Sequence, residues 1–264
     1  MYLHKTIGAV VRAYNEEKHI LSVIESMPEY VDKIYVVNDA SSDSTLEIIM
    51  GAAKRNSKIV PVARKIRGGA GSAAVSGLKR ALQDDVDIFV MLDGDGQMDT
   101  SLINHFLDPL VFGKADYVKG SRLSSREHMR EMPAFRAFGN CLLTFLTRAA
   151  SGYWHISDPQ NGYTAISRET LSKIKLDKVE KGFAFENDML VKLNAINARV
   201  MDIPHPAVYR GQQSKIHYPG FILSLSWVLL KDYFWRIRVK YLRGNIRKFE
   251  KETGVVEPRV RHME

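Results

Sequence analysis

Four short apolar runs, at 7–11, 33–37, 59–63 and 87–92, alternate with three longer stretches at 16–26, 44–56 and 71–83 whose apolar residues recur at helical spacing. Few folds accept that order. Continuous apolar strands are buried on both faces, and strands joined through helices run parallel. The first half of the chain is therefore expected to form a parallel sheet with helices on both sides. In open sheets of this kind the ligand crevice lies beyond the carboxyl ends of the strands. Polar clusters fall at those four ends: AYNEE, NDASSDST, RKIRGGAGSA and DGDGQ. Beyond residue 113 the pattern is mixed, with strands expected at 117–121, 162–167 and 199–203 and helices at 133–151 and 185–196.

The fourth cluster asks for a ligand. Asp93 and Asp95 follow the apolar run VDIFVML and stand one residue apart. Carboxylates that close repel one another and lose hydration unless something positive lies between them, and a divalent cation answers both needs. An EF-hand loop is excluded, because it needs Gly at its sixth position and Glu at its twelfth, where this chain has Met98 and Asn104. Mg²⁺ or Mn²⁺, held by one or two carboxylates and substrate phosphates, fits better. Gly94 and Gly96 let the backbone approach such a ligand closely.

RGGAGSAA at 67–74 opens a helix and offers free N–H groups to an anion. It lacks the Lys-Ser/Thr ending of a phosphate loop and follows the third strand rather than the first, which speaks against a P-loop NTPase and a dehydrogenase. Asp39 closes the second strand, where a carboxylate can accept hydrogen bonds from a nucleotide's base or ribose. Asp43, directly before the next helix, is the better cap.

In order and spacing, RAYNE at 12–16, NDAS at 38–41, GGAGSA at 68–73 and DGDGQ at 93–97 resemble glycosyltransferase family 2, the inverting sugar-nucleotide enzymes of GT-A fold. The resemblance runs from about residue 6 to 242, with Arg12 standing where the family usually has proline. It implies an α/β, Rossmann-like, three-layer sandwich with a mostly parallel central sheet. It also implies donor contacts at Ala13, Tyr14, Asn15, Glu16, Asp39, Gly69, Asp93 and Gly94. Asp93, Asp95 and Gln97 would hold Mg²⁺ or Mn²⁺ on the donor diphosphate.

GSR at 120–122, MPAFRAFGN at 132–140, SDPQNGYTAIS at 157–167, FENDML at 185–190 and YRGQQSKI at 209–216 resemble the subgroup that glycosylates polyprenyl or dolichyl phosphate. Arg122, Arg136, Lys181, Arg210, Ser214 and Lys215 are then the acceptor and phosphate-binding candidates. Arginine's planar fork suits phosphate oxygens. Glu186 and Asp188 sit two apart and cannot share a helical face, so one is expected toward the crevice and the other capping or solvated. Both join Asp95 as candidate catalytic residues. By the resemblance Asp188 takes the place of the acidic residue near the acceptor. A phosphate monoester with a second pKa near ~6 is already mostly ionised at pH 7, so Asp188 is expected to position acceptor or metal rather than abstract a proton. The implied reaction is one in-line displacement at the anomeric carbon, turning an α-linked donor into a β-linked lipid-phosphate sugar. DGDGQ resembles members using UDP-sugars more than those using GDP-mannose, so a UDP-hexose or UDP-HexNAc donor is favoured.

The net charge of +8 points to an anionic partner: a phosphorylated substrate, nucleic acid or an acidic membrane surface. Nucleic acid is not expected, for want of a recognised binding motif. The lone Cys141 leaves no internal disulfide, and no spacing offers a zinc site. The N-terminal run is too short for a signal peptide, and no stretch approaches the ~18 to 20 apolar residues of a membrane-spanning helix. FILSLSWVLLKDYFWRIRVKYLRG, at 221–244, reads as a C-terminal amphipathic helix with cations in its second half. It is expected either to lie in a membrane interface or to pack on the protein. The expected organisation is a catalytic unit at 1–220, divided into a nucleotide-binding half (1–113) and an acceptor half (114–220), then the helix and a charged tail at 221–264. The expected location is cytoplasmic, peripheral at the inner face of the membrane. Two alternatives stay open: a family 2 enzyme with a saccharide acceptor, and a non-enzymatic basic module with salt-dependent affinity for phosphate polymers.

Overall fold

Strand β1 (Ile7–Ala13) reads IGAVVRA, and all seven of its residues are buried. The computed structural model describes residues 1–122, 134–206 and 218–241. Six further strands join β1 in one sheet: β2 (Lys33–Asn38), β3 (Ile59–Ala63), β4 (Ile88–Asp93), β5 (Tyr117–Ser121), β6 (Thr164–Ser167) and β7 (Val200–Pro204). Their order is β3-β2-β1-β4-β6-β5-β7. Only β6 is reversed: it pairs antiparallel with β4 and with β5, and the other pairings are parallel. Because β6 runs against the rest, the loop that leads into it arrives at the edge where β1, β4 and β5 end. That reversal carries residues 157–163 into the crevice.

The period of two along β1 divides the core. Ile7, Ala9 and Val11 belong to one apolar cluster with Ile20, Val23, Ile49 and Phe106, which come from α1 (Ile20–Glu25), α2 (Thr45–Arg55) and α4 (Ile103–Val111). Val10 joins Tyr35, Val37, Leu78, Phe185 and Leu190 on the other face, beneath α3 (Ala70–Ala81) and α7 (Phe185–Ala195). Each such fully buried side chain contributes about 2 kcal/mol. Helix α3 lies close on the sheet because Gly77 has no side chain. A Cβ there would fall 2.4 Å from Val10 Cγ1 and 2.8 Å from Val37 Cγ2, so Gly77→Ala would push the helix outward.

Helix α1 is shorter than its expected span of 16–26. The Glu16 N–H donates to Thr45 Oγ1 (2.8 Å) and the Glu17 N–H to Asp43 Oδ2 (3.3 Å), so the chain is tied to the neighbouring loop before it can coil. Asp43 Oδ1 also accepts from the Thr45 N–H (3.0 Å), which stops α2 from fraying. Helix α4 was not anticipated by the periodicity. The short α6 (Arg168–Ser172) starts at Ser167, whose hydroxyl accepts from the Thr170 N–H.

Helices α5 (Ala134–Ser151) and α8 (Tyr218–Tyr241) cover the outer side of α7 through Leu143, Ala150, Val191, Leu225 and Leu229. All eleven residues of α7 are buried, including Glu186, Asn187, Asp188, Lys192 and Asn194. A helix enclosed on every side has no face for unpaired polar groups, so each of these must find a partner. Helix α8 begins at Tyr218, three residues before the expected boundary. It packs on the protein while leaving Trp227, Leu230 and Phe234 exposed on its outer side, and Asp232 and Arg236 are buried on its inner one. Among the described residues no helix is long and apolar enough to cross a membrane.

Candidate functional site

The ends of β1 and β2 form one wall. The Ala13 carbonyl accepts from the Asp39 N–H (2.9 Å), and Ala13 pairs with Asn38 in register. Asn15 takes a left-handed backbone (φ 56°). There its side-chain oxygen accepts from the Ser42 N–H (2.9 Å), and its own N–H donates to Ser41 Oγ (3.0 Å). The AYNEE and NDASSDST clusters are thus stitched together, with Tyr14 beside them under the guanidinium of Arg67, whose Cζ lies 3.9 Å from the ring centroid.

Asp39 stands directly after β2, where its sequence context places it. It is 3% exposed, and both carboxylate oxygens are engaged. Oδ1 accepts from Arg64 Nη1 (2.6 Å) and the Gly68 N–H (3.0 Å), and Oδ2 accepts from the Gly69 N–H (2.7 Å). Asp39 thus holds the glycine-rich turn. At the start of α3 the Ser72 N–H donates to the Lys181 carbonyl (2.8 Å), which docks that turn on the chain around Lys181. Gly71 allows this docking: a Cβ there would lie 2.7 Å from the Gly182 carbonyl. Gly69 and Lys181, assigned from sequence to donor and acceptor, meet at one turn.

Asp93 and Asp95 lie at the carboxyl end of β4. Asp93 pairs with Arg12 in register, and its Oδ1 accepts from Arg12 Nε (2.8 Å) and forms an ion pair with Nη2 (2.7 Å). Arg12 Nη1 reaches Glu186 Oε1 (2.8 Å) at the start of α7. Burial works against the Arg12 charge, but the carboxylates of Asp93 and Glu186 outweigh it and hold the guanidinium protonated more firmly than usual. The Asp95 carboxyl is pushed up by burial and by the Asp93 charge beside it, and the Gln97 N–H donated to its Oδ1 (2.9 Å) offsets this only in part. Gly94 brings its N–H to the Arg12 carbonyl (2.8 Å). A divalent cation would remove both causes of Asp95's discomfort, and two carboxylates suit a hard ion that takes its other ligands from diphosphate and water. Among the described residues no three His, Cys, Asp or Glu side chains converge on a closed metal site.

The two acidic residues of FENDML separate, though neither is solvated. Glu186 joins the Asp93 side through Arg12. Asp188 is 1% exposed and turned away, with Lys192 Nζ 3.1 Å from its Oδ1 and the Glu180 N–H donated to its Oδ2 (2.9 Å). Burial raises its carboxyl. Asp188 is enclosed in the junction of α7 with α8, where Lys192 and the Glu180 backbone hold it. Across the sheet, Arg122 at the end of β5 grips Asp158 through Nε (2.7 Å) and Nη2 (3.1 Å). Burial opposes the Asp158 charge, but Arg122 holds its carboxyl below the usual range. Behind them Lys119 is fully buried, donates to the Asn161 carbonyl (2.5 Å) and has a pKa lowered to about 8 by burial. Arg210, Ser214 and Lys215 lie outside the described residues, as does the side chain of Arg136 in α5.

Three arginines, Arg12, Arg64 and Arg67, shape this site without having been assigned to it from sequence. For Arg12 a signal existed: a cation inside the apolar run IGAVVRA must meet buried acids or unfold the strand. Arg64 and Arg67 stood within a basic loop and gave no such sign.

A family model described as "Glycosyl transferase family 2" matches residues 9–175. A UDP-N-acetylglucosamine–dolichyl-phosphate N-acetylglucosaminyltransferase of Methanococcus voltae is 28% identical over 218 residues, covering 78% of this chain and 86% of the relative. An undecaprenyl-phosphate mannosyltransferase of Micrococcus luteus is 26% identical over 204 residues, covering 76% and 83%. Among solved structures, glucosyl-3-phosphoglycerate synthase of Mycobacterium tuberculosis, in complex with Mn²⁺, UDP and phosphoglyceric acid, superposes with a TM-score of 0.64. That match has 20% identity and covers 88% of this chain and 78% of that one. The strand order, the crevice at the carboxyl ends of β1, β2 and β4, and this match over more than half its length lead to one conclusion: the chain belongs to glycosyl transferase family 2 and is a glycosyltransferase of GT-A fold.

Proposed function

We propose that the protein transfers a sugar from a nucleotide-sugar, a UDP-hexose or UDP-HexNAc in preference to GDP-mannose, to a polyprenyl or dolichyl phosphate. One observation carries this reading. The two relatives above are named for different sugars, N-acetylglucosamine and mannose, yet both are named for a lipid phosphate. Across such relatives the acceptor class persists while the sugar changes. The exposed Trp227, Leu230 and Phe234 on α8, with Arg238 on the same helix and a net charge of +8, suit a peripheral protein working against an anionic membrane from its cytoplasmic face.

In the proposed reaction, residues 13–16 and the adjoining 38–45 loop bind the nucleotide, and Tyr14 with Arg67 offers it a flat cationic edge. Asp95, the free Oδ2 of Asp93 and the side chain of Gln97 would hold Mg²⁺ or Mn²⁺. When bound, that ion supplies positive charge against the diphosphate leaving group. Arg12 keeps Asp93 oriented. Arg122, paired with Asp158, is assigned to the acceptor phosphate together with Arg136, Lys181, Arg210, Ser214 and Lys215. The acceptor phosphate is already mostly ionised near neutral pH, its second pKa being ~6. Displacement at the anomeric carbon therefore needs no enzymic base, which agrees with Asp188 being enclosed. Residues 1–220 form the catalytic unit in this reading, and 221–264 the segment that meets the membrane.

The test is transfer from UDP-GlcNAc, UDP-glucose and GDP-mannose, with Mn²⁺ or Mg²⁺, to dolichyl and undecaprenyl phosphate in detergent. Formation of an acid-labile lipid-phosphate sugar from one donor is the expected result. Inert lipid phosphates beside a glycosylated saccharide would move the protein to the alternative with a saccharide acceptor.

A further inference from the structure

Arg12 costs the fold more than an apolar residue would. It sits at 6% exposure near the end of a strand whose other members are buried, and taking a guanidinium out of water costs several kcal/mol before its partners repay it. Replacing such a buried pair with well-packed apolar side chains is often neutral or stabilising. Stability alone therefore gives no reason for an arginine at this position. Its surroundings do.

Four segments of chain converge on the guanidinium. β1 supplies it, β4 supplies Asp93, α7 supplies Glu186, and the loop before β6 supplies Gly162. A Cβ at Gly162 would lie 2.3 Å from Arg12 Nη2 and 3.2 Å from Asp93 Oδ2. The absent side chain makes room for the guanidinium and for Asp93 Oδ2, which belongs to a carboxylate left one-third exposed. Both Arg12 contacts to Asp93 fall on the single oxygen Oδ1. The carboxylate is thus fixed in rotation, with one oxygen consumed and the other presented. The remaining N–H edge ties Asp93 to Glu186, on the helix that opens the second half of the site. One positive charge set against Asp93, Asp95 and Glu186 leaves two negative charges in excess, the charge of one divalent ion.

We infer that Arg12 is a positioning residue for sugar transfer. It locks Asp93 so that only Oδ2 is offered to the donor diphosphate and its metal, and it couples that clamp to α7 through Glu186. The inference rests on the reading of Asp93 and Asp95 as the diphosphate and metal clamp. A lysine could not do the same, because a point charge cannot bind one oxygen of Asp93 twice and reach Glu186 as well.

The test measures the affinity of UDP and of GDP by calorimetry, with and without Mn²⁺, for the full chain and for Asp95→Asn, Arg12→Lys, Arg12→Met, Gly162→Ala and the double variant Arg12→Met/Glu186→Gln. Melting temperatures are recorded alongside. Asp95→Asn is expected to lose the Mn²⁺-dependent part of nucleotide affinity, which checks the clamp itself. Arg12→Lys and Gly162→Ala are expected to lower the Mn²⁺-dependent affinity about 10-fold or more, the usual effect of removing a group that orients a metal ligand, with Mn²⁺-independent affinity unchanged. Gly162→Ala keeps every charge and displaces chiefly the guanidinium, which its Cβ would meet at 2.3 Å, against 3.2 Å for Asp93 Oδ2. Arg12→Met leaves the buried Glu186 and the part-exposed Asp93 without their cation and is expected to melt early. The double variant removes one of those acids and is expected to regain much of the melting temperature without regaining the metal dependence.

If Asp95→Asn binds nucleotide with full Mn²⁺ dependence, the clamp reading falls and this inference falls with it. If Asp95→Asn loses that dependence but Arg12→Lys and Gly162→Ala keep it, the clamp stands and the role of Arg12 is overturned. Recovery of both melting temperature and metal dependence in the double variant would reduce Arg12 to a balancing charge, which also overturns it.

Discussion

Asp39 Oδ2 accepts the Gly69 N–H at 2.7 Å, and by this bond a carboxylate at the end of β2 fixes the first residue of the turn that opens α3. Asp39→Asn should loosen that turn. The amide must give up one of the three donors that the carboxylate serves, and it leaves Arg64 without a counter-charge. A loss of about 2 kcal/mol is expected, hydrogen bonds to charged groups being worth more than neutral ones. Urea unfolding measures it, and amide hydrogen exchange at Gly68 and Gly69 localises it. Unchanged exchange at both would show that the turn does not depend on Asp39.

Asp95→Asn should separate stability from ligand response. Burial and the Asp93 charge disfavour the ionised form of Asp95, so removing the charge is expected to leave the apo melting temperature equal or higher. The rise in melting temperature that Mn²⁺ gives with UDP should vanish in the same variant, because a ligand stabilises only through the folded state it binds. Calorimetric scans with and without both ligands read the two effects together.

The junction of α7 with α8 predicts a pH dependence. Asp232 is pushed up to about 7, first by burial and then by the Asp188 charge, against the partial relief of Lys192 and Lys231, with Glu180 adding to the strain. Asp188 shifts in the same direction. A carboxyl raised on folding holds its proton longer in the folded chain than in the unfolded one. Its favourable contribution is complete below the unfolded value near ~4 and is lost as pH rises toward about 7. Asp232→Asn should therefore flatten the melting temperature between pH 4 and 7 and raise it at pH 8. At this chain length roughly 1 kcal/mol corresponds to about 2–4 °C. Identical pH profiles for the variant and the parent would refute the assignment.

Trp227 and Phe234 are 71% and 62% exposed. Trp227→Ala with Phe234→Ala should leave stability within about 0.5 kcal/mol, as exposed substitutions usually do. Sedimentation with anionic phospholipid vesicles should fall in the double variant, as should transfer to long-chain lipid phosphate in those vesicles. Transfer to a short-chain, water-soluble analogue should not. An equal loss with both acceptors would place these side chains in the reaction rather than at a surface.

Much of this architecture was legible in the sequence, and the failures have identifiable causes. β1 to β4 announced themselves because strands covered on both faces need unbroken apolar runs, and the crevice followed from where those runs stop. Asp93, Asp95, Asn15 and Glu16 stand at those ends as expected. Helical periodicity could not say which of Glu186 and Asp188 faces the crevice, because α7 is enclosed all round. Asp39 and the glycine turn were ambiguous for a related reason. A carboxylate followed by glycines can serve a ligand's hydrogen bonds or the turn's own, and only the three-dimensional path of the chain chooses between them. Helix α4 carries Pro109 inside it and follows a run of polar turn residues, which together masked its start.

Helix α8 has 24 residues and so spans about 36 Å. Arg236 on its inner side donates to the carbonyls of Ala150 (2.7 Å) and Ala149 (3.1 Å) near the end of α5. Lifting it away would strip one of the two covers from α7 and bring Asp188, Asp232 and Lys192 toward water together. It therefore behaves as a keel rather than a tether. A surface gripping its outer side would tilt the whole molecule, and the angle between keel and crevice, set once at folding, would fix the depth at which an acceptor headgroup meets the sugar.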